Sequence, residues 1–240
     1  MNIVFISDLH LSSNTIDANK KFLQLLDDWV IKYDAIYILG DFFDYWVGDD
    51  DTNDFIETIK LALYKFTRQK QIYFITGNHD FALGQLFAKQ TGINIIKDLS
   101  VLEVFNYKIL LSHGDVFCTL DKPYQRMKII LQNRLVLFLL KKLPLKFRYQ
   151  IKNKLKQTNK KNYNRFNKEN YSVVNSSVIE YALAKNCNLV INGHTHNPGI
   201  YLLEKDDIKI QRYELPDWQD RRCGGYLELY NSAFNLVLAD

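Results

Sequence analysis

Five short apolar runs rich in β-branched residues recur along the chain: "NIVFIS", "AIYILG", "IYFITG", "KILLSH" and "NLVING". Their length and composition predict buried strands. Between the first three lie stretches with apolar residues at helical spacing, roughly Asp17 to Tyr33 and Asn53 to Gln69. Strand, helix, strand, helix predicts crossover connections and a largely parallel sheet. After His196 the pattern changes to short alternating runs, "GIYLLEKDDIKIQRYEL" and "GGYLELYNSAFNLVLAD", which predict antiparallel strands joined by turns. In the middle, "RMKIILQNRLVLFLLKKLPLKFRYQIKNKLKQ" predicts two helices broken at Pro144, whose missing N–H and fixed φ stop the first. We read 122–168 as a helical cap inserted into a single domain spanning 1–240.

Composition narrows the class. The chain has 240 residues, 47% of them hydrophobic and 24% charged, ordinary for a soluble domain with a substantial core. The longest purely apolar stretch is "LVLFLL", far short of the ~20 residues of a membrane-spanning helix. The opening "MNIVFISDLH" has neither a basic n-region nor a small-residue cleavage site, so no secretory signal is expected. Cys118, Cys187 and Cys223 are widely spaced and odd in number. That argues against a disulfide framework or a thiolate zinc site and for a reducing, cytoplasmic setting. Cys118 is read as a small packing residue rather than a nucleophile.

Charge changes the picture more. The net charge of +4 hides an asymmetry: residues 122–168 hold 15 Lys and Arg and no Asp or Glu. The remainder then carries 16 basic and 27 acidic residues, a net of −11. The expectation is one electropositive module on an acidic body.

The histidines carry the chemistry. There are five, and each sits in a polar knot directly after an apolar run: "SDLHLSS", "TGNHDFA", "LSHGDVF" and, with two, "NGHTHNPG". In open α/β sheets function collects beyond the carboxyl ends of strands. Residues two apart in an extended segment point the same way, so Asp8 and His10 are expected to converge, and likewise His194 and His196. The pooled set of Asp8, His10, Asp41, Asn78, His113, His194 and His196 exceeds the needs of one metal. It suits two divalent ions of intermediate hardness such as Mn²⁺, Fe²⁺ or Zn²⁺, roughly 3.5–4 Å apart and able to activate water. The reaction class is phosphoester or phosphoanhydride hydrolysis.

Taken in order, "DLH", "GDFFD", "GNHD", "HGD" and "GHTH" resemble the five motifs of calcineurin-like metallophosphoesterases. The resemblance implies an α/β fold, a four-layer αββα sandwich of two mixed sheets. It also implies that Asp41 bridges the metals, that His79 stabilises or protonates the departing oxygen, and that Asp80 orients His79 through a hydrogen bond. Nearly the whole chain, in "FISDLHLS", "AIYILGDFFDYWVGDDD", "GNHDFALG", "LSHGDVFCTLDKPYQ" and "INGHTHNPGI", is similar to the UDP-2,3-diacylglucosamine diphosphatases of lipid A biosynthesis. Those enzymes carry a helical insertion after the "HGD" region. The resemblance implies attack by water on the α-phosphorus of a lipid-linked sugar nucleotide, giving UMP and 2,3-diacylglucosamine 1-phosphate. Asn78, Asp121 and His194 fall on substrate-contacting positions of that family, with His79 beside the phosphate where close members carry Arg. Lys160, Arg165 and Lys168 are the candidate contacts from the cap.

The cap is expected to receive acyl chains on its apolar face and to set its charges on an anionic bilayer. That makes a monomeric protein peripheral to the cytoplasmic face of the inner membrane, with no nucleic-acid partner. Two alternatives stand beside this: a nuclease or cyclic-nucleotide phosphodiesterase gripping phosphates with the basic segment, and a scaffold that has lost the chemistry. Outside the ligand set, Asp44 is weighed evenly between a turn and support of the site. Asp49 to Asp51 are expected to form a solvated loop capping the following helix, and Trp46 to pack.

Overall fold

The computed structural model describes residues 1–165, 171–219 and 223–239, the side chains of 158–165 excepted. The apolar runs become strands within a residue or two of their expected limits. Strand β1 (Ile3–Ile6), helix α1 (Ile16–Lys32), β2 (Ala35–Leu39), α2 (Asp54–Thr67), β3 (Gln71–Ile75), α3 (Gln85–Thr91) and β4 (Asn94–Ile95) form a wound half. Strands β5 (Ser100–Val104) and β6 (Tyr107–Leu111) begin the second half. Helices α4 (Lys122–Leu131), α5 (Arg134–Lys142) and α6 (Leu145–Arg165) follow, then α7 (Asn175–Ala184) and β7 (Leu189–Asn192). The hairpins β8 (Gly199–Lys205)–β9 (Ile208–Glu214) and β10 (Tyr226–Tyr230)–β11 (Ala233–Val237) close the chain.

Two mixed sheets result, a six-stranded one in the order β11-β10-β1-β2-β3-β4 and a five-stranded one in the order β5-β6-β7-β9-β8. Neighbours β1, β2, β3 and β4 run parallel, as do β6, β7 and β9. Period-two alternation assigns each side chain to a layer. Ile3, Phe5, Tyr37, Leu39 and Ile75 meet Ile109, Leu111, Leu189 and Ile191 between the sheets. Val4, Ile6, Ile36, Ile38 and Phe74 face Phe22, Trp29, Ile59 and Leu63 of α1 and α2. On the far side Leu110 and Val190 pack under Val178, Ile179 and Ala182 of α7. The architecture is therefore the αββα sandwich anticipated above.

The basic segment departs from expectation. It forms three helices, not two, because Asn133 also breaks the run: its side chain accepts from the Leu135 and Val136 amides and starts α5. A single Asn inside an apolar, basic stretch is a weak stop signal beside Pro144. The "GDDD" reading also changes. Asn53 caps α2, whereas Asp49 caps α3 across space, accepting from the Gly84, Leu86 and Phe87 amides at 2.9–3.2 Å. Trp46 is buried, as expected, against Phe43 and Phe87. Among the described residues no helix is long and apolar enough to cross a membrane.

Candidate metal centre

Five parallel strands, β1, β2, β3, β6 and β7, deliver their following loops to one end of the sandwich. The chain bends sharply there. Asp8 (φ 57°), His10 (48°), Asp41 (51°), His194 (80°) and His196 (54°) all lie in the left-handed region. Non-glycine residues seldom adopt it, at a cost of order 1–3 kcal/mol each, which the surrounding sheets offset. The convergence of Asp8 and His10 is real, but it comes from these turns and not from extended backbone.

The ligand candidates gather in overlapping groups. Ligand atoms of Asp8, His10 and His196 lie within 4.8 Å of one another, and so do those of Asp41, His113 and His194. His196 Nε2 stands 3.4 Å and His10 Nε2 4.0 Å from Asp8 Oδ1. His113 Nε2 stands 3.6 Å from Asp41 Oδ1 and 3.0 Å from Asn78 Oδ1. Asp41 also joins His10 and His79 in a third group, so it sits between the other two. His194 and His196, expected to aim at one point, go to different groups. The Thr195 between them is turned aside to Glu214, which also accepts the Asn197 amide.

Supporting bonds fix which atoms face inward. Asp8 Oδ2 accepts from Ser7 Oγ (2.6 Å) and the His194 amide (2.9 Å), leaving Oδ1 toward the imidazoles. A Cβ on Gly193 would overlap that Asp8 carboxylate and the Ser7 hydroxyl, so close approach requires glycine. His113 Nδ1 donates to the Leu39 carbonyl at 2.9 Å, which directs Nε2 at Asp41 and Asn78. His196 Nδ1 lies 3.7 Å from the buried Asp217. Arg212 backs the last loop through Glu214 (2.9 Å) and Asn192 (3.3 Å).

The donor set fits divalent cations. Asp8 Oδ1 and His10 Nε2 are buried and form no hydrogen bond among the described residues, a costly arrangement for polar atoms that a metal would satisfy. Burial opposes charge on Asp8 and Asp41, yet the surrounding imidazoles hold both carboxyls below the usual range. Burial likewise opposes a charged His113, but Asp41, Asp8 and Asp115 outweigh it and lift its pKa to about 9. Burial and then His113 press His194 down to about 4. A compact site that stabilises two anionic carboxylates is suited to positive ions, and a bound cation would take the place of the proton on His113, since imidazole ligates only as the neutral ring.

Asp80 does not orient His79. Its oxygens accept from the Gly77 (2.6 Å) and Phe42 (2.8 Å) amides, tying the β2 and β3 loops together. The ring of His79 is held instead by the Asp44 carbonyl, and its Nε2 lies 3.9 Å from Asp41. Backbone donors exposed by tight turns outcompeted a neighbouring side chain. Asp44 thus supports the site, and its carboxylate also pairs with Lys156 at 3.1 Å.

The other expected contacts are more scattered. Asp121 heads α4, accepting the Tyr124 amide at 3.0 Å, and the Tyr124 ring stands 6.1 Å from that of His194. The side chains of Lys160 and Arg165, and all of Lys168, lie outside the described residues. Lys156, not singled out from sequence, lines one pocket with His10, Asp41, Asn78, His79, His194 and His196. Asp115, the last residue of "HGD", is buried and binds Lys128 (2.8 Å) and Tyr124 of α4. Glu214 ends β9 and Asp217 lies just beyond it, with no histidine beside either to mark them in the sequence. Burial drives the Cys118 thiol up to about 12, in keeping with a packing role.

A sequence model of the family described as Calcineurin-like phosphoesterase matches residues 1–198. A UDP-2,3-diacylglucosamine hydrolase of Pseudomonas putida is 37% identical over 236 residues, covering 98% of each chain. One from Pseudomonas paraeruginosa is 36% identical over 230 residues, covering 95% of each. One from Vibrio cholerae is 36% identical over 220 residues, covering 91% of each. With its five strand-end loops meeting around Asp41, this chain belongs to the calcineurin-like phosphoesterases and, among them, to the UDP-2,3-diacylglucosamine hydrolases.

Proposed function

We propose that the chain hydrolyses the pyrophosphate of UDP-2,3-diacylglucosamine, with water entering at the α-phosphorus, and releases UMP and 2,3-diacylglucosamine 1-phosphate. The family's fold implies divalent ions. Asp8, His10, Asp41 and His196 would hold one, and Asp41, Asn78, His113 and His194 the other, with Mn²⁺ the ion we favour. When bound, such ions make water nucleophilic near neutral pH and neutralise phosphate oxygens. The chain's own groups do the rest. Nδ1 of His79 is spent on the Asp44 carbonyl, so Nε2 carries a proton only in the imidazolium form. That form steadies phosphate charge and can protonate the leaving oxygen. Lys156 brings a further cation to the pocket, and Asp121 offers a carboxylate to a sugar hydroxyl.

The observation that carries this reading is the continuity between the metal centre and an apolar cavity. Asn78 and His79 border a pocket that Tyr45, Phe81, Leu131 and Leu155 share with a second one. Trp46, Leu137, Leu140 and Ile151 add to the largely apolar wall of that second cavity, which Lys141, Arg148 and Lys152 also line; such a wall suits acyl chains better than bases or ribose. Residues 122–168 then act as a cap. Its outer surface exposes Ile129 (73%), Leu135 (66%), Phe138 (57%) and Leu139 (56%) among lysines, a face suited to an anionic leaflet. We accordingly infer a monomer peripheral to the inner membrane's cytoplasmic face.

The test is UMP release from micellar UDP-2,3-diacylglucosamine with Mn²⁺, run beside bis(p-nitrophenyl) phosphate and DNA. In H₂¹⁸O the label should enter UMP. Cleavage of DNA or the simple diester with no UMP release would transfer the chain to the nuclease or phosphodiesterase reading.

A further inference from the structure

The three carboxylates of "GDDD" do three different things, and the middle one reaches the cap. Asp50 accepts both arms of the Arg148 guanidinium, Nη1 at 2.6 Å and Nη2 closer still. The same guanidinium donates to the Val47 carbonyl (3.0 Å) and, through Nε, to the Leu143 carbonyl (2.9 Å). One side chain thereby joins a loop of the body, the end of α5 and the start of α6. Arg148 is only 6% exposed, although it lies on a helix otherwise rich in solvated lysine. A Cβ on Gly48 would occupy the place of its Nη1. Next to it, the Tyr149 hydroxyl binds Asp51.

Each partner is itself anchored. The loop is fixed by Asp49 on the α3 amides, by the Trp46 indole on Asp49 (3.0 Å) and by the Trp46 amide on the His79 carbonyl (2.9 Å). On α6, residues four apart share a face. From Arg148 that face runs to Lys152, stacked over Tyr45 and Tyr149, and then to Lys156 on Asp44. Ile151 and Leu155, on the adjoining stripe, line the apolar cavity. Arg148 is the buried member of this row of contacts, at the end of α6 nearest the α5 junction, and so helps to set the register in which α6 closes that cavity.

We propose that Arg148 and Asp50 form a clasp that positions the cap for the acylated part of the substrate: the Arg148 side chain forms part of the cavity wall, but its guanidinium is taken up by Asp50 and two carbonyls, and neither residue holds metal. This rests on the acyl-binding reading of the cavity. The geometry calls for arginine, because a lysine cannot make the paired contact to Asp50 while also reaching two carbonyls. Because Asp49 and Trp46 hold the loop independently, loss of the clasp should loosen α6 without shifting His79.

Asp50→Asn, Arg148→Met and Arg148→Lys test this in the full-length, Mn²⁺-loaded protein. For micellar UDP-2,3-diacylglucosamine, Arg148→Met and Asp50→Asn should raise KM about tenfold with kcat within about twofold, and Arg148→Lys should fall between them and the parent. Bound metal per chain should not change, which also reports that the body is folded. Amide exchange over 145–157 should quicken in the same order. Unaltered KM and unaltered exchange in both Arg148→Met and Asp50→Asn would overturn the clasp, as would a fall in kcat accompanied by metal loss. If the parent itself releases no UMP, the substrate reading fails, and the exchange rates alone decide whether the clasp holds α6.

Discussion

The metal centre and the cap are built on opposite terms. Around the centre, β1, β2 and β7 have every residue buried, and inward side chains are held by amides, carbonyls and carboxylates of neighbouring loops. In the cap, α4 and α5 have no buried residue at all. It meets the body through separate tethers: Lys128 to Asp115, Arg148 to Asp50, Tyr149 to Asp51 and Lys156 to Asp44. The difference matches the roles proposed for the two parts. Hydrolysis needs groups preorganised to fractions of an ångström, which strand ends between two packed sheets supply. On the proposed reading of the cap, a face for acyl chains and membrane needs apolar surface left uncovered, so it would not be stabilised by burying itself.

The comparison breaks most severely at its shared carboxylate. Asp41→Ala should lower kcat by ~10³-fold or more, since the sets proposed to hold the two ions both lose a member, and metal analysis should show fewer than two ions per chain with the circular dichroism unchanged. Asp217→Asn acts one step back, through His196. It should weaken metal binding by about 10–100-fold, read by titration of the apo protein with Mn²⁺. At the cap the same scale shrinks. Lys142→Ala should cost about 1 kcal/mol, or about fivefold, in partition onto phosphatidylserine vesicles, with turnover of a detergent-dispersed substrate unaffected. The smallest effect belongs to Cys118. A thiol raised to about 12 stays protonated and unreactive below that pH, so iodoacetamide at pH 8 should leave activity intact. Inactivation that Cys118→Ala prevents would contradict this.

Legibility in the sequence follows the same divide. The strand-end knots stand out because each immobile ligand must sit where an apolar run stops, and that junction is a local pattern. Asp44 and Asp80 show where local reading gives out. Both lie beside the right motif, but which of them holds His79 depends on a carbonyl and two amides delivered by different loops. Asp217 and Glu214 carry no marker at all, because their role exists only through neighbours remote in sequence. In the cap, Asn133 ends a helix with a signal weaker than the apolar periodicity running through it.

By itself the sequence determined the strand–helix alternation, the loops that would bear ligands, the basic character of residues 122–168 and the family. Those depend on residue type and spacing along one short segment at a time. Only the tertiary structure decided that His194 and His196 part company, that five ligand residues turn through positive φ, and that Asp49, Asp50 and Asp51 each bind a different partner. Those outcomes are set by which backbone groups and charges arrive from elsewhere in the chain, and spacing along the sequence does not encode them.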